Sequence, residues 1–306
     1  MAIPDRLDLL RQDFNRVYRP QREWIDGRGL LLVVAHFFSG VGAGAWIFSV
    51  LFDFPIGMLM GLVCIGGFSG LAHLLFLGRI GRFWRIVRRP HSSWISRGIW
   101  GIGIFGVGAL GYLSPWTREG ALASSFLGLS LLGTAVILCY EGFVYAASVA
   151  VAFWRTWLLP LLYIAYGLRG GAALLLVAAS LGGAGFDLHA MEAIKLWVVV
   201  STGVLILLYM IVATRSGGAA RDSARQLVGG RISPAFYAGT VAVGILVPIG
   251  LGLARELGTT SLFVLGTIGT ASLIGDFFVK YCIVKAGVYV PLRGAGIPGI
   301  DERTAA

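Results

Sequence analysis

Charge is scarce in this sequence, and acid is scarcer than base. Only 13% of the 306 residues are charged, with 15 Asp and Glu against 25 Lys and Arg. A soluble domain of this size needs a more polar surface, so that class is excluded. Cysteine is nearly absent. Cys64, Cys139 and Cys282 stand singly in apolar runs, with no CxxC pair and no metal-ligand spacing. That pattern reads as small buried thiols and leaves no metal site to propose. The features of a secretory leader are missing too. Residues 1–28 mix acids and arginines before any apolar run, unlike a short basic n-region.

What the chain has is hydrocarbon. Hydrophobic residues make up 57% and mean hydropathy is +0.82. Apolar runs near the ~20 residues that a bilayer requires recur about eight times. They fall at roughly 29–52, 55–77, 98–114, 121–145, 157–181, 190–213, 234–254 and 260–287. The expected fold class is therefore all-α integral membrane, with about eight transmembrane helices arranged as two four-helix bundles. The expected division is an interfacial N-terminal segment (1–28), a transmembrane domain (29–290, in halves 29–150 and 151–290) and a tail (291–306). Pro55 and Pro115 mark turns, and Arg215 to Arg231 bounds a Gly- and Ser-containing connector. The 45 glycines follow no collagen period; in membrane helices they let backbones approach.

The net charge of +10 does not indicate nucleic acid, because the arginines flank apolar stretches. With an even number of spans, one side receives Arg6, Arg11, Arg16, Arg19, Arg22, Arg28, the 79–97 connector, Arg155, Arg215, Arg221, Arg225, Arg231, Arg293 and Arg303. The other receives only Arg118, Lys195 and Arg255. This bias predicts a multi-pass protein of the bacterial cytoplasmic (inner) membrane with both termini cytoplasmic. Before the first span, Leu7, Leu10, Phe14 and Val17 recur at helical spacing. They read either as an amphipathic surface helix or as a docking arm for a partner subunit.

Gly40-Val41-Gly42-Ala43-Gly44-Ala45 in the first span and Gly170-Gly171-Ala172-Ala173 in the fifth occupy matching places, which suggests an internal repeat. The pairs Gly40/Gly44 and Gly66/Gly70 predict tight helix packing.

Ionisable residues inside spans are costly, so each is a functional candidate. They are His36, His73, Glu141, Arg169, Asp276 and Lys280, with Tyr140 beside them. At about 1.5 Å per residue, His36 lies roughly 10 Å deep and His73 roughly 6 Å from the same side. Most of the set converges in one leaflet. Arg169, near mid-membrane, is expected to pair with Glu141 or Asp276 or to face water. Three chemistries compete: interhelical hydrogen bonding alone, a quinone site with His and Tyr donors plus a proton-relaying carboxylate, and a haem held between His36 and His73. On the far side, Asp187, His189 and Glu192 read as an interfacial polar face or a proton exit.

The second and third spans are joined by an Arg- and Trp-rich connector. It runs Leu77-Gly78-Arg79-Ile80-Gly81-Arg82-Phe83-Trp84-Arg85, Arg88-Arg89-Pro90, then Ser93-Trp94-Ile95-Ser96-Arg97-Gly98. It resembles the NrfD-like family of polysulfide reductase and dimethyl sulfoxide reductase membrane anchors, departing where the family usually has proline and this chain has Ile80. Ala35-His36-Phe37-Phe38 is similar to the family's first helix, where tyrosine is commoner at position 36. Tyr140-Glu141-Gly142 and Phe153-Trp154-Arg155-Thr156-Trp157 to Pro160 resemble the junction of its fourth and fifth helices. Ile283-Val284-Lys285-Ala286-Gly287 resembles the end of its last.

The resemblance implies an eight-helix, quinone-reactive subunit (menaquinone or ubiquinone) without haem or metal of its own. It implies a ferredoxin-like iron–sulfur partner wired to a molybdopterin or cytochrome catalytic subunit. His36 and Tyr140 would hydrogen-bond the quinone, with His73, Glu141, Asp276 and Arg169 as proton-path candidates. Arg79, Arg82, Arg85, Arg88 and Arg89 would hold the partner and lipid headgroups. A secondary transporter, which also has a repeat and buried charges, and a haem-b-bearing cytochrome anchor are the alternatives.

Overall fold

The computed structural model describes residues 18–117, 119–182, 185–258 and 261–290. In chain order its helices are α1 (Gly29–Leu51), α2 (Pro55–Leu77), α3 (Trp94–Leu113), α4 (Gly120–Ala146), α5 (Leu158–Gly182), α6 (Leu188–Arg215), the short α7 (Gly218–Val228), α8 (Ser233–Arg255) and α9 (Leu262–Ala286). Among the described residues the extended structure is one isolated bridge, Pro20 to Val288. The expected surface helix at Leu7, Leu10, Phe14 and Val17 lies outside the described residues. So do Arg6, Arg11, Arg16, Arg118, Arg293, Arg303 and the tail 291–306.

Seven helices, all of the above except α3 and α7, are long and apolar enough to cross a membrane among the described residues. The α3 helix has 20 residues. Arg97 and the glycines at Gly98, Gly101, Gly103, Gly106, Gly108 and Gly111 dilute its apolarity, which sets it apart from the other expected spans. It also starts earlier than the apolar run implied. Ser93 caps it by accepting from Ser96 N at 3.4 Å, so Trp94 to Arg97 form its first turn rather than the end of the connector.

The burial pattern is that of a protein whose solvent is lipid. Glu141 and Arg169 are fully buried, and Asp276 and Lys280 nearly so. Leu59, Phe68, Leu71, Leu74 and Leu75 on α2, and Leu207 and Leu208 on α6, are exposed. Backbone groups within each span pair internally, as hydrocarbon demands.

Glycine decides where helices touch. α1 packs on α2 and α5, α5 on α9, α3 on α4, and α8 on α9. The two glycine runs of the repeat meet each other. A Cβ on Gly44 would strike the backbone of Gly167, and one on Gly171 the backbone of Gly44. Gly244 of α8 and Gly275 of α9 form a second such crossing. The Gly66/Gly70 pair does not: nothing lies within 4 Å of a Cβ at Gly66, and at Gly70 only the carbonyl of Ile65 in the same helix is near, at 3.6 Å. These two sit at the wide-turn segment Val63–Ser69 of α2, on a helix that faces lipid. The expectation of tight packing there is corrected.

Both ends of the bundle finish together. Gln21 N donates to Gly287 O at 3.0 Å, Tyr289 N to Arg19 O at 2.7 Å, and Val290 N to Ala150 O at 2.9 Å. A strap before α1 thus closes against the chain that leaves α9.

Candidate functional site

Four helices bring polar side chains to one level. His36 and Ser39 are three apart on α1, so they share a face. α4 supplies Tyr140, Glu141 and Tyr145, α2 supplies His73, and α9 supplies Lys280. The Ser69 carbonyl, one turn back on α2, lies 2.9 Å from His73 Nδ1. It accepts a hydrogen bond from Nδ1–H, which leaves Nε2 to accept from the Tyr140 hydroxyl at 3.2 Å. His36 Nδ1 meets the Tyr145 hydroxyl at 2.9 Å. The His36 ring touches His73, Tyr140 and Tyr145 edge-on, with centroids 5.7, 5.6 and 5.3 Å away. A Cβ at Gly98 would fall on the Tyr140 ring, so α3 fixes that ring by lacking a side chain.

Beneath the rings sits an ion pair. Lys280 Nζ donates to Glu141 Oε2 at 2.6 Å and to the His36 carbonyl at 2.6 Å. Ser39 Oγ donates to Glu141 Oε1 at 2.6 Å, and Tyr163 lies under the ammonium at 5.0 Å. Gly40 makes the room, since its Cβ would stand 2.8 Å from Lys280 Nζ.

One turn earlier on α9, Asp276 pairs with Arg169 of α5, Nε to Oδ1 at 3.1 Å. Arg169 also donates to Thr202 Oγ1 at 3.2 Å and to the Gly244 carbonyl. That carbonyl lies in the wide-turn segment Phe236–Leu246 of α8, where the regular ladder of the helix is interrupted. The Tyr166 ring covers the guanidinium at 5.0 Å. Lys195 Nζ donates to the Arg169 carbonyl at 3.1 Å. A cavity of about 20 Å³ separates Lys195 from Glu192 and Arg255, large enough for an ordered water.

The structure brings His36, His73, Tyr140, Glu141 and Lys280 into one cluster and places Arg169 and Asp276 in the next. Of the partners expected for Arg169, it takes Asp276. The different depths inferred for the two histidines do not keep them apart, because their rings are in contact. The haem arrangement is disfavoured because both ring nitrogens of His73 are already engaged, Nδ1 by the Ser69 carbonyl and Nε2 by the Tyr140 hydroxyl. Among the described residues no three His, Cys, Asp or Glu side chains gather as metal ligands.

Two further expectations are corrected. Lys195 is buried rather than a surface cation of the far side. Asp187, His189 and Glu192 do not act as one face. Asp187 caps α6 by accepting from Ala190 N at 3.0 Å, Glu192 pairs with Arg255 at 2.6 Å, and His189 is exposed.

Sequence reasoning missed Ser39, Tyr145, Tyr163, Tyr166 and Lys195. Helical spacing could have found most of them. Ser39 follows His36 by three, Tyr145 follows Glu141 by four, and Tyr166 precedes Arg169 by three.

In the connector, Arg79, Arg82, Arg85, Arg88 and Arg89 are all exposed. Trp84 carries Arg85 and Arg88 over its ring at 5.5 and 5.1 Å. Arg97 folds back on Trp94 at 4.2 Å and donates to Pro90 O and His91 O, each at 2.9 Å. Arg97 therefore shapes the connector while the other five present charge outward.

The geometry suits an acceptor-bearing, lipid-soluble guest. A donor hydroxyl (Tyr140) and a proton carrier (His73) lie side by side. His73 is the least buried of the cluster and sits between the lipid-facing Leu71, Leu74 and Leu75. The family described as "Polysulphide reductase, NrfD" matches residues 28–291. The chain is similar to the "Protein NrfD homolog" of Haemophilus influenzae, 24% identical over 159 residues, which is 50% of this chain and 49% of that protein. The chain thus spans about half the length of the curated relative it matches.

Proposed function

From the premise that this chain belongs to the polysulphide reductase NrfD family, we propose that it is the quinone-reactive membrane subunit of a respiratory oxidoreductase complex. Its partners in this reading are a docked ferredoxin-like iron–sulfur protein and a molybdopterin or cytochrome catalytic subunit. The observation that carries the proposal is the Tyr140–His73 pair at 3.2 Å, placed where a buried polar cluster reaches a lipid-facing helix. A bound quinone supplies two-electron, two-proton chemistry.

The residues divide the work. A bound quinone would take the Tyr140 hydroxyl's hydrogen bond in place of His73, whose Nε2, released from Tyr140, could then hold or pass on a proton. His36 orients Tyr145 and stands against both rings. Glu141, held by Lys280 and Ser39, lies behind the rings as the next proton acceptor. The Asp276–Arg169 pair and Lys195 extend polar groups toward the far end. The exposed arginines from Arg79 to Arg89 face the partner and lipid headgroups.

The arginine bias supports an inner-membrane protein with this face in the cytoplasm. The pairing of residues 19–21 with 287–289 supports an even number of passes, for which α3 provides the eighth. The meeting of the two glycine runs supports a division into halves at about residue 150, the length of four spans with their turns.

The test is quinol-dependent turnover of the native complex in membranes, beside its activity with a soluble artificial donor. Tyr140→Phe and His73→Gln should depress the first and spare the second. Loss of both activities, or of neither, would count against the assignment. Mild-detergent purification with mass spectrometry checks the partners; a chain that purifies alone, intact and folded, would favour a transporter.

A further inference from the structure

The strap, α7, the start of α8 and the end of α9 enclose a cavity of about 210 Å³. It stands apart from the histidine cluster and from the connector. Its lining holds three cations, Arg22, Arg231 and Lys285, against one carboxylate, Asp26. Asp26 is already engaged: Lys285 Nζ donates to it, and Arg22 lies 3.9 Å away. Arg231 has no ion pair among the described residues. The cavity therefore carries two positive charges more than negative ones, and its volume far exceeds the about 10–15 Å³ that one water occupies.

Its position is as informative as its charge. α9 ends at Ala286 and α8 begins at Ser233, so the cavity straddles the level where span gives way to headgroups. One wall is polar, made by Gln21, Arg22, Asp26 and Gln226. The other is apolar, made by Ile232, Ala235 and Tyr281, and continues down α9. There Phe277 stacks on Tyr281 with centroids 6.3 Å apart and planes 20° from parallel. A cationic cup above a flat aromatic wall at the membrane interface fits a phosphate that bears hydrocarbon chains.

We propose that this cavity is a binding site for the phosphodiester headgroup of an anionic phospholipid, with Arg231 as the principal contact and Lys285 and Arg22 behind it. The acyl chains would run along Tyr281 and Phe277. Such a lipid would tie the strap to α8 and α9. The shared chemistry, a phosphate oxyanion, is also that of free inorganic phosphate, so the experiment must separate the two.

The full chain, in its native complex where that copurifies, is delipidated in mild detergent and titrated with phosphatidylglycerol. Retained lipid is counted by native mass spectrometry. Phosphatidylcholine and inorganic phosphate are the comparison probes. Wild type should retain phosphatidylglycerol in preference to phosphatidylcholine. R231Q should weaken retention about fivefold, the value of one membrane-facing cation. R215Q, which removes an exposed arginine outside the cavity, should leave retention unchanged. D26N removes the one carboxylate among the described lining residues and should strengthen retention, so the two cavity variants move in opposite directions and misfolding cannot imitate both. Equal retention of the two lipids, or R231Q indistinguishable from R215Q, would overturn the proposal. Displacement of the lipid by millimolar inorganic phosphate would overturn its assignment to lipid.

Discussion

Glu141 and Lys280 meet at 2.6 Å with side chains 1% and 3% exposed, 139 residues apart in sequence. A charge pair at this depth is held together by the cost of separating it. Removing one partner leaves the other stranded. Lys280→Met should therefore cost about 3–5 kcal/mol, while Glu141→Gln with Lys280→Met should recover much of that. Thermal unfolding in detergent, read by a thiol-reactive dye at the buried Cys64 and Cys282, measures both. Equal loss in the single and double variants would show that the pair is not coupled.

The Arg169 site predicts a similar loss by a different route. Arg169→Gln deprives Asp276 of its ion-pair partner and the Gly244 carbonyl of its donor. The expected destabilisation is again about 3–5 kcal/mol. Arg169→Lys should recover only part of it, because one ammonium cannot reach Asp276, Thr202 and Gly244 together. Unfolding midpoints of the two variants decide the matter; equal stability of Lys and Arg would refute the multidentate role.

The glycines should sort by what faces them rather than by motif. Gly44→Val and Gly171→Val push a side chain into the opposing backbone, so both should prevent assembly of a folded bundle. Gly66→Ala, which enters open space, should shift stability by no more than about 0.5 kcal/mol. Yield of monodisperse protein in detergent separates the two classes.

The strap predicts a pH dependence outside the membrane. Partial burial raises the Glu23 carboxyl, but the Tyr289 hydroxyl, donating at 2.7 Å, and nearby N–H groups outweigh it and hold the group below its ordinary 4.5. Its stabilising contribution is present above pH 4.5 and is lost as pH falls through the lower folded value. Tyr289 is pushed up by burial and then by the Glu23 carboxylate, so its contribution is present below pH 10 and is lost as pH rises beyond. Protection of the amides of residues 18–26, taken relative to their intrinsic exchange rates at each pH, should be greatest between these limits, and Tyr289→Phe should flatten the profile. An unchanged profile in that variant would exclude the pair as its cause.

For the proposed quinone chemistry, Tyr140→Phe should lower quinol turnover about 10²-fold, the low end for loss of a proton-handling group. Tyr145→Phe should act less, because Tyr145 reaches the site only through His36. Steady-state turnover against quinol concentration would test the order; a larger loss in Tyr145→Phe would reverse the roles.

The sequence alone determined the medium, the helices and most of the buried ionisable groups. Hydrophobic length and the scarcity of charge leave one solvent in which these runs are stable, and glycine and proline mark the ends. Gly40 and Gly44 were legible as packing positions, and Gly171 as part of a repeat. His36, His73, Tyr140, Glu141, Arg169 and Asp276 were legible as residues too costly to bury without a role. What tertiary structure decided was pairing. One sequence cannot show that Glu141 takes Lys280 while Arg169 takes Asp276, because both cations and both carboxylates are within a turn or two of one another in depth. Nor can it show that Lys195 turns inward, that Gly66 faces lipid, or that the Gly244 carbonyl accepts from Arg169. Each of these depends on how a helix is rotated about its axis, and rotation is set by close packing across helices distant in sequence, not by the residues of the helix itself.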